Sequence, residues 1–317
     1  MRPLWKDILV AVWIGILVPG IALNGFVLKE RHRERAQAQA LQVQPVPKTE
    51  HRIPVKDQDG TTVTMELETY LTGVLLAEMP ADFQEEALKA QSVAARTYTW
   101  KACVTGGKHG DGSVCRDSAC CQAYISEEDY LSRGGTPENL ERVRRAVRAT
   151  ASMVLGYEGE LIEATYFSSS GGSTESALAV WGADYPYLQP VFSPEEISVD
   201  TVTYSAEEFQ HLLGQSFSGN PTEWFGPVTY TDGGGVDTME ICGEEYTGIQ
   251  LRSLLKLRST AFHIQTDKAA ITVVTRGYGH RVGMSQYGAN AMAGTGSTWQ
   301  QILQHYYPGT TIFPING

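Results

Sequence analysis

The sequence is short of basic residues: 25 Lys+Arg stand against 36 Asp+Glu, a formal net charge of −11 over 317 residues. A nucleic-acid binder needs a basic face, so that class is excluded. No segment repeats at a fixed period, and no phosphate loop is present, because the one glycine-rich stretch that resembles it lacks the lysine. No serine sits in a Gly-x-Ser-x-Gly elbow, which removes the usual nucleophile signature. Cysteines number five, an odd count that cannot all pair within one chain. What remains is ordinary globular material, 42% hydrophobic and 19% charged, enough to exclude global disorder.

The single long apolar run lies at the start. From Ile8 to Leu28 there is no charged residue, a length that spans a hydrocarbon core of about 30 Å as a helix. A cleavable signal would have a shorter core and a small-x-small site, for which Ala22-Leu23-Asn24 is poor; a buried soluble helix is the plainer alternative. Residues 1–35 are therefore expected to be an N-terminal transmembrane helix with a basic flank. Lys29, Arg31, Arg33 and Arg35 follow the run and, by the positive-inside rule, argue against export of what comes after. Residues 36–50, Gln-rich and Pro-containing, read as a linker. Residues 51–317 form the globular part, expected to be a single mixed α+β domain from the order of its elements.

That part opens with two short strands around an Asp-Gly turn, then a helix with Leu67, Leu71, Val74 and Glu78 on one stripe. Glu78 occupies a place where the pattern wants an apolar residue. A carboxyl there has a raised pKa, as a general acid near neutral pH requires; the bland alternative is a frayed helix end facing solvent. Asp82 with Glu85 three residues on suggests the start of a second helix, whose Ala87, Ala90, Ala94 and Tyr98 make a narrow packing face. Residues 103–124 contain His109, Cys115, Cys120 and Cys121 in a Gly- and Ser-rich loop. Four such ligands satisfy tetrahedral zinc and would staple a loop with little core of its own; disulfides compete if the domain is exported. A helix over Pro137–Met153 turns Leu140, Val143, Val147 and Ala151 inward and four arginines (142, 144, 145, 148) outward. Strands at Val154–Tyr157 and Leu161–Phe167 lead into the loop Ser168–Thr174, and residues 193–250 show only Glu207–Leu213 and Ile249–Leu257 as short helices. Ala270–Thr275 is a strand; the glycine loop 277–289 follows, and a last helix is capped by Thr298 and Gln301.

The segments LETYLTGVLLAEMPADFQEEALKAQSVAARTYTW, the Ser168–Thr174 loop, SLLKLRSTAF, GYGHRVGMSQYGANAMAG and ILQHYYPGT occur in this order. Together they strongly resemble the stage II sporulation protein D family over roughly residues 50–315. The resemblance implies a peptidoglycan lytic transglycosylase that cleaves the MurNAc–GlcNAc bond, leaves 1,6-anhydro-MurNAc ends and degrades septal wall during engulfment. It implies as partners glycan strands stripped of stem peptides, a partner amidase and a membrane scaffold of the engulfment machinery. The expected place is a single-pass protein of the mother-cell membrane, its catalytic domain facing the forespore. The catalytic residue would be Glu78, the Glu of Ala-Glu-Met-Pro. Some members hold zinc in an equivalent loop through two His and two Cys. That puts one structural zinc at His109, Cys115, Cys120 and Cys121, with Cys120 where a His occurs in such members. Substrate would be held by Ser168, Ser169, Ser170 and Gly171 and by His280, Gly283, Met284, Ser285, Gln286 and Tyr287, with Arg96 and Tyr98 as weaker wall candidates. A non-catalytic wall-binding enhancer of an amidase, or a zinc hydrolase, are the competing classes.

Overall fold

The computed structural model describes residues 51–57 and 59–315. The expected anchor and linker, residues 1–35 and 36–50, lie outside the described residues; among those described, no helix is long and apolar enough to cross a membrane.

The opening hairpin forms as its alternation suggests: β1 (Arg52–Lys56) pairs antiparallel with β2 (Thr62–Glu66), Ile53 opposite Met65. Helix α1 (Leu67–Glu78) follows at once and buries Leu67, Leu71 and Val74, the expected stripe. Helix α2 runs from Glu85 to Thr105, so Asp82 is not its cap. The Phe83 N–H closes a turn on the Pro80 carbonyl, and this turn occupies the residues that the capping pattern assigned to the helix. No side chain caps α2; the N–H of Gln84 instead donates to Asn290 Oδ1 at 2.8 Å.

α2 is the axis of the fold. Leu88 and Ala95 pack into one core with Leu71, Leu75, Val143 and Val147, while Ala87, Ala90, Val93 and Ala94 face a second core with Met284, Ile302, Leu303 and Tyr306. Alanines at these positions let other helices approach its backbone closely. After the short β3 (Val114–Cys115), parallel to β1, come α3 (Glu127–Ser132) and α4 (Pro137–Ala149). α4 ends four residues before its expected limit, because Ser152 takes φ 62° and Met153 already begins β4 (Met153–Tyr157). Two of its arginines are not simply solvated: Arg142 donates to the carbonyls of Ala81, Asp82 and Phe83, and Arg144 pairs with Glu127.

The expected strand over Leu161–Phe167 is two: β5 (Glu160–Leu161) pairs with β4, and β6 (Tyr166–Phe167) belongs to another sheet. Between them the Thr165 N–H donates to the Glu163 carbonyl at 2.9 Å, a three-residue turn that redirects the chain. A short α5 (Ala177–Trp181) then leads into a lobe that the sequence pattern leaves mostly unread. Its elements are β7 (Val199–Ser205), α6 (Ala206–Leu213), β8 (Phe225–Tyr230), β9 (Val236–Ile241), β10 (Glu244–Thr247), α7 (Gly248–Leu254), β11 (Phe262–Thr266) and β12 (Ala270–Arg276). Two antiparallel sheets, β11-β12-β7 and β10-β9-β8, enclose a third core around Phe209, Trp224, Ile241, Leu251 and Val273. The chain returns through β13 (Met284–Ser285), parallel to β6, then α8 (Gln286–Gly294), α9 (Trp299–Tyr306) and β14 (Thr311–Pro314), which pairs with β4. The α+β expectation thus holds for the described residues, with the Thr298/Gln301 capping box formed on α9.

One buried guanidinium joins the returning glycine loop to the rest. Arg281 is 1% exposed. It donates to the carbonyls of Ser170 (2.7 Å), Ser173 (2.9 Å) and Gly233 (2.7 Å) and to Glu175 Oε1 (3.0 Å). Removing one partner of such a pair leaves a buried charge and orphaned carbonyls. Arg281→Met should lower the unfolding free energy in urea by about 3–5 kcal/mol; a loss below about 1 kcal/mol would show that the guanidinium does not hold these loops together.

Candidate active site

Glu78 is the last residue of α1. The helix stops because Met79 turns extended (φ −132°) ahead of Pro80, which disfavours helical geometry in its predecessor. The carboxyl is therefore carried at the end of a buried rod. It is half-buried and lines a cleft of about 930 Å³. Burial pushes its pKa up, and the N–H of Ala123, donating to Oε1 at 2.6 Å, offsets part of that rise.

The Ala123 N–H is itself fixed by its neighbours. Gln122 is buried, donating to Thr99 Oγ1 at 2.8 Å and accepting from the Tyr166 hydroxyl at 2.8 Å. Tyr124 lies across α1 at Gly73, where any Cβ would come within 2.3 Å of its ring, and the Ile125 N–H reaches the Gly73 carbonyl at 3.2 Å. A glycine in mid-helix, costly on propensity, is thus what lets the cysteine loop lie down beside Glu78.

Across the cleft stand aromatic groups from three segments. His280 lies between Phe167 (centroids 5.6 Å apart) and Trp181 (5.1 Å). Burial and the Arg252 guanidinium hold its pKa down at about 4, so the ring is neutral at pH 7. Its Nδ1 accepts the Val282 N–H at 3.1 Å, which leaves the proton on Nε2. A second cleft carboxylate, Glu163, is paired with Lys101 at 2.7 Å.

Of the expected substrate-contacting residues, Ser168, His280 and Gln286 line this cleft. Ser169 and Tyr287 line an adjoining cavity instead, together with Ser168. Ser170 and Ser285 are fully buried and both donate to Glu195 Oε1, at 2.6 and 2.8 Å, and Ser285 also caps α8. Met284 is core. Gly283 is pressed on the Thr165 carbonyl, 2.0 Å from where a Cβ would lie, and Gly171 is pressed on Arg276. These five residues shape the loops and do not face the cleft. Tyr98 lines it, but Arg96 does not: it is buried and held bidentately by Glu68, at 3.0 and 2.5 Å. Residues that the sequence reading passed over are Gln122, Tyr166 and Trp181 in the cleft and Glu195 behind it; an arginine amid glycines at 281 was the one visible signal of the buried network.

His109, Cys115, Cys120 and Cys121 do converge, with one ligand atom from each lying within 4.8 Å of the others. His109 Nε2 is 3.7 Å from Cys120 Sγ and 3.6 Å from Cys121 Sγ, and the two sulfurs are 3.9 Å apart. A tetrahedral ion bound at about 2.0–2.3 Å needs donors roughly 3.5–3.8 Å apart, so the set fits a metal ion. All five cysteines are free, and 3.9 Å is far beyond a disulfide bond. A closed set of four protein ligands leaves no position for substrate, so a metal here would be structural. Cys120 and Cys121 also line the Glu78 cleft.

Residues 56–157 match the family model described as Stage II sporulation protein. The chain is 38% identical to stage II sporulation protein D of Bacillus amyloliquefaciens over 82% of its length and 78% of the relative's. It is 39% identical to that of Bacillus subtilis (strain 168), over 87% and 81%. It is also 30% identical to the amidase enhancer of Bacillus subtilis (strain 168), over 76% of this chain and 40% of that one. The family span takes in both the helix end that carries Glu78 and the whole cysteine loop. With relatives at 38% and 39% identity over most of both chains, this protein belongs to the stage II sporulation protein D family.

Proposed function

We propose that this sporulation protein is a peptidoglycan lytic transglycosylase. The observation that carries the reading is a single desolvated carboxyl, Glu78, at the wall of a sugar-sized cleft. Protonated Glu78 donates to the glycosidic oxygen as the MurNAc C1–O bond breaks, freeing the GlcNAc 4-hydroxyl. The C6 hydroxyl of the same MurNAc attacks C1 of the oxocarbenium-like ring, and Glu78 takes back that hydroxyl's proton. No water is consumed, so no second carboxylate has to activate one; Glu163, neutralised by Lys101, is not required as a base. His280, neutral, and Gln286, whose Nε2 has no partner among the described residues, orient the sugar's polar groups.

The metal is proposed to be zinc, holding the loop that presents the Ala123 N–H to Glu78. The site is proposed to act outside the cytoplasm, tethered by residues 8–28 to the mother-cell membrane, on septal wall during engulfment, beside an amidase that strips stem peptides. The amidase enhancer among the relatives favours a second reading, a non-catalytic wall binder that stimulates such an amidase.

Mass spectrometry of peptide-free glycan strands after incubation should show 1,6-anhydro-MurNAc ends with the wild type, and at least 10³-fold fewer with Glu78→Gln, a loss in the range expected when a general acid is removed. An active, folded Glu78→Gln overturns the mechanism, and stimulation of an amidase without new anhydro ends favours the second reading. Elemental analysis should find one zinc per chain. Stripping it, or replacing Cys120 by Ser, should lower the melting temperature and cleavage together, whereas loss of activity at unchanged stability would indicate a catalytic metal.

A further inference from the structure

The four metal-ligating side chains come from one stretch of chain, between His109 and Cys121. An ion held there shapes that stretch, but none of its ligands belongs to α1, the helix that carries Glu78. Something else has to set the loop against the helix. On the reading of Glu78 as the working acid, we infer that Arg116 does this: it is a positioning residue that holds Tyr124 against α1 and so keeps the Ala123 N–H aimed at the carboxyl.

Tyr124 is the part of the loop that rests on α1. Its ring stacks on Tyr70, with centroids 5.5 Å apart and planes 13° from parallel, and it fills the gap left by Gly73. Ala123 is its direct neighbour in the chain, so the seat of this ring fixes where the Ala123 N–H points. The Arg116 guanidinium lies over the same ring, its central carbon 4.6 Å from the centroid. That cation is anchored in turn. Its Nη1 donates to both carboxylate oxygens of Asp57, at 3.0 and 3.1 Å, and its Nη2 lies 3.3 Å from Met65 Sδ. On the main chain, the carbonyl of Cys115 just before it accepts the Tyr70 hydroxyl at 3.1 Å. The β1–β2 hairpin, the cysteine loop and α1 thus meet on one ring, and Arg116 is the residue that ties the hairpin to it.

Arg116 acts through this contact and not by its charge. Burial and the Ala123 N–H are what move the Glu78 pKa, and the guanidinium is offset by Asp57. The other ionisable groups of the cleft are Tyr98 and Tyr166, which burial keeps protonated, neutral His280, Lys108, the two cleft cysteines and Glu163, paired with Lys101. A substitution at position 116 changes none of these side chains. What it loosens is the hydrogen bond that favours the carboxylate, so the Glu78 pKa should rise further when the clamp opens.

Carboxyl titration of full-length protein labelled with ¹³C at glutamate reads the contact without any cleavage. In Arg116→Met the Glu78 midpoint should rise by roughly 0.5–1 pH unit, part of the roughly 1–2 units that a hydrogen bond to a charged group is worth. Tyr124→Leu keeps the guanidinium and should give the same rise. The two together should give no more than either alone, because both act through one contact. Asp57→Asn, a milder change, should move the midpoint the same way by less. Metal content should equal that of the wild type throughout. A midpoint unmoved in Arg116→Met and Asp57→Asn overturns the inference even if the melting temperature falls, since that marks a merely structural residue. Additive shifts, or a shift seen only where metal is lost, overturn it too. The basic limb of cleavage should move up with the midpoint; missing anhydro ends would refute the reaction and leave the titration result standing.

Discussion

The contact between the Glu78 carboxyl and the Ala123 N–H is the joint on which the site depends. It links the end of a helix buried in one core to a loop with little apolar content of its own. Desolvation favours the neutral acid, and the N–H favours the carboxylate. A group balanced in this way can give up a proton and take it back, which is what a one-carboxyl reaction asks of it. The fit of four ligands to a metal, the glycine at position 73 and the locked Gln122 all serve to bring that one N–H to that one oxygen.

The opposite wall is built by convergence of segments far apart in the chain. The serine loop, the glycine loop and the turn at Gly233 are drawn together by Arg281, and Glu195 does similar work between Ser170 and Ser285. Arg281 is met by three backbone carbonyls and the Glu175 carboxylate, and Glu195 Oε1 by two serine hydroxyls and the Ser170 N–H. They set the walls of the cleft without entering it, leaving Ser168, His280 and Gln286 to face a ligand.

Much of this was legible in the residues. The hairpin, α1, the alanine face of α2 and the α9 capping box follow from period and capping chemistry, which act over a few residues. The four-ligand set was legible because metal ligands are few in kind. In the lobe over residues 199–276 only α6, α7 and β12 were legible, near Glu207–Leu213, Ile249–Leu257 and Ala270–Thr275; strands such as β7 (VDTVTYS) are half-solvated and rich in Thr, and their apolar positions are too few to declare a period. Nor could spacing separate Ser168, which faces the cleft, from Ser170, which is buried on Glu195. That difference arises from a partner 25 residues away in sequence. The misplaced cap at Asp82 has the same origin: local chemistry allowed it, and a tertiary acceptor, Asn290 Oδ1, takes the Gln84 N–H instead.

The central claim is that burial raises the pKa of the Glu78 carboxyl above that of an ordinary glutamate, with the Ala123 N–H offsetting part of the rise. It can be measured directly by following carboxyl carbons in protein labelled with ¹³C at glutamate, the Glu78 signal being the one missing from Glu78→Gln. Because the folded pKa is raised, the stability linked to this group is complete below the ordinary glutamate range and is lost as pH rises through the folded value. Cleavage limited by the acid should fall along the same curve. A Glu78 signal that titrates above the ordinary range, in step with the basic limb of activity, is the predicted result. Titration at or below that range would contradict it.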